Sequence, residues 1–243
     1  CQPGRVRALI DRYATFVPRV LAEYPGIDPD CLRRGAVIEA DTALECYRAA
    51  SVIFFDSYGV LNLGPHALKG MAKTITTLRT WGKQVRVLTN NASQMPDQIA
   101  RFLRSIGYDF SPEEVIGCGQ ALWQWIKVHH RQGASIHYVG PQAPFEYVRD
   151  AECILVNPID LGSSSPDPEL IVLGSNACLG KAEKDRVIAM ARSGIPVLCL
   201  NPDLMAPLGE TELTEVIGAF ALELEQHTGR SVTMLGTPFR TIY

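Results

Sequence analysis

The sequence predicts an α/β protein whose strands lie parallel. Two apolar runs carry that expectation: Val52–Phe55 stops at Asp56 and Gly59, and residues 84–88 stop at Thr89, Asn90 and Asn91. Stretches with helical spacing follow each run and close at Gly82 and Gly107. Runs rich in β-branched and aromatic residues read as buried strands, and strands alternating with helices imply right-handed crossovers. A buried strand that ends in a carboxylate displays it where open α/β sheets bind ligands.

Taken in order, residues 5–24 place Tyr13, Phe16, Val17 and Leu21 at helical spacing, with Pro18 as a break. Residues 26–50 hold a Pro-Asp turn and a helical segment around 42–49, so 1–50 reads as a helical lead-in. The strand at 52–55 is followed by helix near 66–81, strand at 84–88 and helix at 96–106, with Pro96 and Asp97 suiting that helix's first turn. A short strand at 115–116 closes this first part, 51–118. A second α/β series fills 119–228: helix 120–130, strands at 136–139, 154–156 and 170–173, helix 181–193, strand 196–200 and helix 211–227. Residues 229–243 read as a return to the first sheet, through a strand at 231–235 and Gly236-Thr237-Pro238. The irregular loop 157–168, with three serines and three prolines, is a candidate binding loop.

Composition narrows the class. A chain of 243 residues with 47% apolar and 20% charged residues can bury a sizeable core. A net charge of −3 without a basic cluster gives no electrostatic case for nucleic acid. No apolar run reaches membrane-span length and no signal-peptide core is seen, so no membrane partner is expected. Seven cysteines without a C-x-x-C pair suit a reduced, cytoplasmic protein. Self-association is left open, and Cys1 in place of Met reads as processing or a fragment.

In a sequentially connected parallel sheet, Asp56 and Thr89 would stand at neighbouring strand ends. A carboxylate beside a hydroxyl and the free amides of a helix start could handle phosphate. Asp56 would be nucleophile or metal ligand, and Thr89 with the Asn90 amide would bind phosphate oxygens. Thr89, Asn90 and Asn91 could equally turn the chain and cap a helix.

Together, D-x-x-G-V-L, then T-N-N-x-S, then a long α/β insertion with Asn201-Pro202-Asp203 and a terminal G-x-P, resemble the haloacid dehalogenase (HAD) superfamily. The layout is similar to its class IIA branch of sugar phosphatases and nitrophenylphosphatases, over roughly residues 52–243. The resemblance implies a HAD-like Rossmannoid core, with an α/β cap inserted between motifs II and III. It implies Asp56 as nucleophile and Mg²⁺ ligand, the Tyr58 carbonyl as a second ligand, and Thr89 as the phosphate-binding hydroxyl. Asn90, Asn91 and Thr237 would contact substrate, a small phosphorylated metabolite.

Departures from the family pattern matter as much. Where the family carries a second aspartate as acid and base, this chain has Tyr58, and a phenol titrates near about 10. Loss of such a group costs about 10²–10⁴-fold in rate. The family's motif III lysine is Thr237 here. The acidic motif IV would lie beyond Tyr243, so the resemblance implies a C-terminally incomplete chain, an incomplete Mg²⁺ site, an unpaired edge beside the Asp56 strand and little turnover from this form. The expected function is a HAD-type phosphatase working through an aspartyl-phosphate, with altered helpers and weak or no activity. The alternative is a non-catalytic HAD-like binding or regulatory protein. A 2-haloacid dehalogenase, suggested by D-x-Y-G, ranks lower, because only 32 residues separate Asp56 from Thr89 and leave no room for a cap there.

Other signals are weaker. Gly117-Cys118-Gly119 lacks the third glycine of a dinucleotide loop. His129 and His130 read as solvated, and Trp123 and Trp125 as facing different sides of a helix. Cys118 and Cys178 have no partner histidine within sequence reach. Asp160, Asp167 and Asp203 read as turn residues that could also contact a polar substrate.

Overall fold

The computed structural model describes residues 3–24, 42–141, 145–156, 168–209 and 212–243. Helices α1 (Pro3–Ala14), α2 (Val17–Glu23) and α3 (Ala43–Cys46) precede the first sheet. Pro18 falls in the first turn of α2, where a missing N–H leaves no helical bond unmade, so the break lies just before it.

Strands β1 (Val52–Phe55), β4 (Gln84–Thr89) and β5 (Val115–Gly117) form the first sheet in the order β1-β4-β5, all parallel. Between β1 and β4 lie the hairpin β2 (Asn62–Leu63) with β3 (His66–Ala67), and helix α4 (Met71–Thr80). The helix expected near 66–81 therefore starts late, because His66 and Ala67 pair back onto Asn62 and Leu63. Helix α5 (Pro96–Ser105) links β4 to β5. Among the described residues β1 pairs with β4 alone, and its Val52 and Phe54 side chains are exposed. Its alternate residues, Ile53 and Phe55, are buried with Leu61, Leu78, Val85 and Val87.

Helix α6 (Cys118–Val128) leads into a second parallel sheet. Its strands are β6 (Ser135–Val139), β7 (Ile154–Leu155), β8 (Leu170–Leu173), β9 (Val197–Cys199) and β12 (Thr233–Met234), in the order β12-β9-β8-β6-β7. Helices α7 (Phe145–Asp150), α8 (Lys181–Arg192) and α9 (Ile217–Thr228) connect them. The four residues of β8 are all buried, as a central parallel strand covered on both faces requires. The strand expected to lead back to the first sheet is β12, which instead extends the second sheet on β9.

The second correction falls at 211–227. Strands β10 (Met205–Pro207) and β11 (Leu213–Glu215) pair antiparallel there, and α9 begins only at Ile217. The loop 157–168 lies, except for Pro168, outside the described residues, as do Asp160, Asp167 and residues 25–41.

The two sheets share a buried cluster that joins Leu88, Ala92 and Cys118 to Ile136, Leu170, Leu198 and Leu200. Alternation along β6 turns Ile136 and Tyr138 toward this cluster, and the Tyr138 hydroxyl donates to the Ala92 carbonyl at 3.3 Å. Helices α1 and α2 pack Tyr13, Phe16 and Val20 on the opposite side of the second sheet. No helix of the described residues is long and apolar enough to cross a membrane.

Candidate active site

Asp56 stands at the carboxyl end of β1, and Thr89 ends β4 beside it, with Phe55 paired to Val87 in the parallel register. Sequence and register thus bring both residues to one sheet edge. The Ser57 amide donates to Asp56 Oδ1 at 2.7 Å. The turn beyond is tied down: the Ser57 carbonyl accepts from the amides of Leu61 and Asn62, and Ser57 Oγ donates to Asn62 Oδ1 at 2.8 Å. Surrounding protein lifts the Asp56 carboxyl above its ordinary value, and the Ser57 amide opposes that rise.

Asp56 opens onto a cavity of about 600 Å³. Tyr58, Thr89, Asn90 and Asn91 line its floor, and the hairpin residues Met205, Ala206, Pro207 and Leu208 form an apolar wall. Thr89 is buried, and its Oγ1 accepts from the Asn91 amide at 3.2 Å. Asn91 Oδ1 accepts from the Ser93 amide at 2.9 Å, so this side chain shapes the loop before α5. Asn90 is buried, and its side chain bonds the backbone of Thr237. Thr237 itself stands outside the cavity lining and reaches the site only through that backbone pairing.

Asp203 is the residue that sequence reading undervalued. It follows β9 in the second sheet yet lines the same cavity as Asp56. Its amide donates to Asn201 Oδ1 at 2.9 Å, and the next amide, Leu204, donates to the Tyr13 hydroxyl at 3.0 Å. At Gly218, the start of α9, an added Cβ would collide with the carbonyls of Pro202 and Asp203. Half-burial pushes Asp203 up to about 6; a hydrogen bond from the Asn90 side chain opposes this, and the charge of Asp56 adds to it. A signal existed: Asp203, like Asp56, is an acidic residue just past the carboxyl end of a parallel strand.

The remaining candidates lie elsewhere. Cys118 is fully buried at the start of α6, and burial raises its thiol well above the ordinary range, which disfavours a thiolate nucleophile. Trp123 is exposed while Trp125 stacks on His129 with centroids 4.1 Å apart, so the two indoles do take different faces. Among the described residues, no lysine, arginine or histidine lines the cavity, and no cluster of three His, Cys, Asp or Glu occurs.

Residues 53–153, which carry Asp56, Thr89 and both turns, match the family model of haloacid dehalogenase-like hydrolases. Over that stretch, less than half of its length, the chain resembles the HAD superfamily. Its second α/β unit follows the Thr89 strand and precedes Gly236. Among curated proteins, this chain is 24% identical over 183 residues to an acid sugar phosphatase of Staphylococcus aureus, covering 75% of this chain and 67% of that one. Among solved structures, one described as a possible sugar phosphatase from Cytophaga hutchinsonii superposes with a TM-score of 0.74 at 23% identity. That match covers 86% of this chain and 74% of the other. A glycerol phosphate phosphatase from Mycobacterium tuberculosis, in complex with magnesium, gives a TM-score of 0.68 at 21% identity. It covers 79% of this chain, which spans 56% of that protein.

Proposed function

We propose that this chain is a HAD-type phosphatase of small phosphate monoesters, sugar or polyol phosphates among them, that transfers the phosphoryl group to Asp56. The carrying observation is the pairing of Asp56 and Thr89 at adjacent parallel strand ends, opening on one cavity walled by the second unit. The names of the relatives support this class of substrate.

In this reading the Asp56 carboxylate attacks phosphorus, and water then releases phosphate from the aspartyl-phosphate. Thr89 would offer its hydroxyl to a phosphate oxygen, because its Oγ1 accepts from Asn91 and keeps its proton free to donate. The hairpin wall excludes water from the apolar side of the substrate.

A magnesium ion fits the donor set in part. The Asp56 carboxylate and the Tyr58 carbonyl would hold it, with water and phosphate oxygens completing the shell, as Mg²⁺ usually binds through one or two carboxylates. When bound, such an ion neutralises charge on the transferring phosphoryl group.

A second reading, a binding protein without turnover, is favoured by Tyr58 in the place of an acid and by a cavity lining without a cationic side chain. A panel of phosphate monoesters, assayed with Mg²⁺ or EDTA, separates the two. The phosphatase reading expects turnover that disappears in Asp56→Asn. Equal turnover in that variant removes Asp56 as nucleophile, and ester binding without turnover supports the second reading.

A further inference from the structure

We infer that Asp203, from the second unit, takes the proton-transfer role that Tyr58 leaves open, as general acid for the leaving group and then general base for water. The inference rests on the phosphatase reading and names the residue that completes its chemistry. Three observations carry it. Asp203 and Asp56 line one cavity from different units, so a phosphoryl group on Asp56 would share that cavity with a carboxyl of the second sheet. The Asp203 backbone is fixed from three sides, by Asn201, by the Tyr13 hydroxyl on Leu204, and by close packing of Gly218. Its side chain is held by Asn90, the residue after Thr89, which links it to the phosphate-binding loop.

The proton balance closes. Asp56 attacks phosphorus while the bond to the ester oxygen breaks, and protonated Asp203 gives its proton to that oxygen, releasing a neutral alcohol. In the second step the Asp203 carboxylate accepts a proton from water as its oxygen attacks phosphorus. The phosphorus–Asp56 bond breaks, which regenerates the Asp56 carboxylate and releases inorganic phosphate.

The electrostatic setting suits a carboxyl that must hold and lose a proton near neutral pH. Burial pushes Asp203 up to about 6, close to the range where one group serves both steps. The titratable groups facing it are Asp56, the Tyr13 phenol and the thiols of Cys118 and Cys199. Burial raises the phenol and both thiols, so they stay neutral there, and Asp56 is the charge that favours its protonated form.

The leaving group supplies the test. Wild type and Asp203→Asn are compared on glycerol 3-phosphate, whose alkoxide needs a proton, and on 4-nitrophenyl phosphate, whose phenolate does not. Expected is a loss of about 10²–10⁴-fold in kcat/KM, which reports phosphoryl transfer to Asp56 and not the hydrolysis common to both substrates, on the first and of roughly ten-fold or less on the second. The fall in rate above about pH 6 on glycerol 3-phosphate should also disappear. Asp203→Glu, which keeps a carboxyl, should restore part of the difference between substrates, and thermal melts confirm that each variant is folded. Equal losses on both substrates, or none, overturn the inference and leave the phosphatase reading standing. No turnover of either substrate by the wild-type protein with Mg²⁺ overturns both.

Discussion

Asn90 and Thr237 lie 147 positions apart and are joined by a two-way pair of hydrogen bonds. Asn90 Nδ2 donates to the Thr237 carbonyl at 3.0 Å, and the Thr237 amide donates to Asn90 Oδ1 at 2.7 Å. One amide side chain thus mimics a strand, closing the end of the second sheet onto the loop that follows β4 in the first.

Asn90→Ala should therefore reach beyond one side chain. It leaves a backbone donor and acceptor of Thr237 without partners and frees Asp203, so a loss of about 2–4 kcal/mol is expected. Urea unfolding measures it. A change below about 0.5 kcal/mol, as at ordinary surface sites, would show that the pairing contributes little to holding the two sheets together.

Tyr58→Asp should raise the phosphatase rate, since it returns a carboxyl to the position from which the family works. The gain should be larger in the Asp203→Asn background than in wild type, because two acids then no longer compete for one role. Steady-state kcat of the four proteins on glycerol 3-phosphate decides it; identical gains in both backgrounds would mean that the two positions act independently.

The elevated Asp203 carboxyl also predicts a stability change. Its folded value, about 6, lies above the ordinary 3.8, so the folded chain holds that proton more tightly. The resulting stability is present below about pH 4 and lost as pH rises through 6. Asp203→Asn should then stabilise the fold at pH 7.5, on the order of 1–3 kcal/mol, and much less at pH 4. Thermal melts at both pH values measure this. A variant less stable than wild type at pH 7.5 would contradict the raised carboxyl.

His137 gives a control remote from the chemistry. It is buried on β6, and its Nε2 lies 2.6 Å from Glu183 Oε1 on α8, while Arg186 pairs with the other Glu183 oxygen at 3.2 Å. His137→Leu should cost about 1–3 kcal/mol by removing a hydrogen bond to a charged group. Turnover should be unchanged, because β6 alternation points His137 away from the face that packs on the first sheet. A fall in kcat without a fall in Tm would instead tie this pair to the site.

Much of this architecture was legible in the sequence because its signals are local. Val52–Phe55 is short, apolar and ends at an acid, and Pro96 and Gly107 bracket a helix. The misreadings arise where partners are distant or unusual. Residues 211–215 look helical in isolation, yet pairing with Met205–Pro207 holds Leu213–Glu215 extended. Asp203 looks like a turn residue until the second unit sits against Asn90, which no local pattern announces. Likewise Thr237 occupies a motif position, but its backbone rather than its side chain reaches the site.

Among the described residues the cavity lining holds two carboxylates and no cationic side chain, and this governs encounter. Most enzymes of anions draw them in with a positive field, and added salt slows capture. Here a phosphate ester approaches against a negative field, so screening should quicken its association rather than slow it.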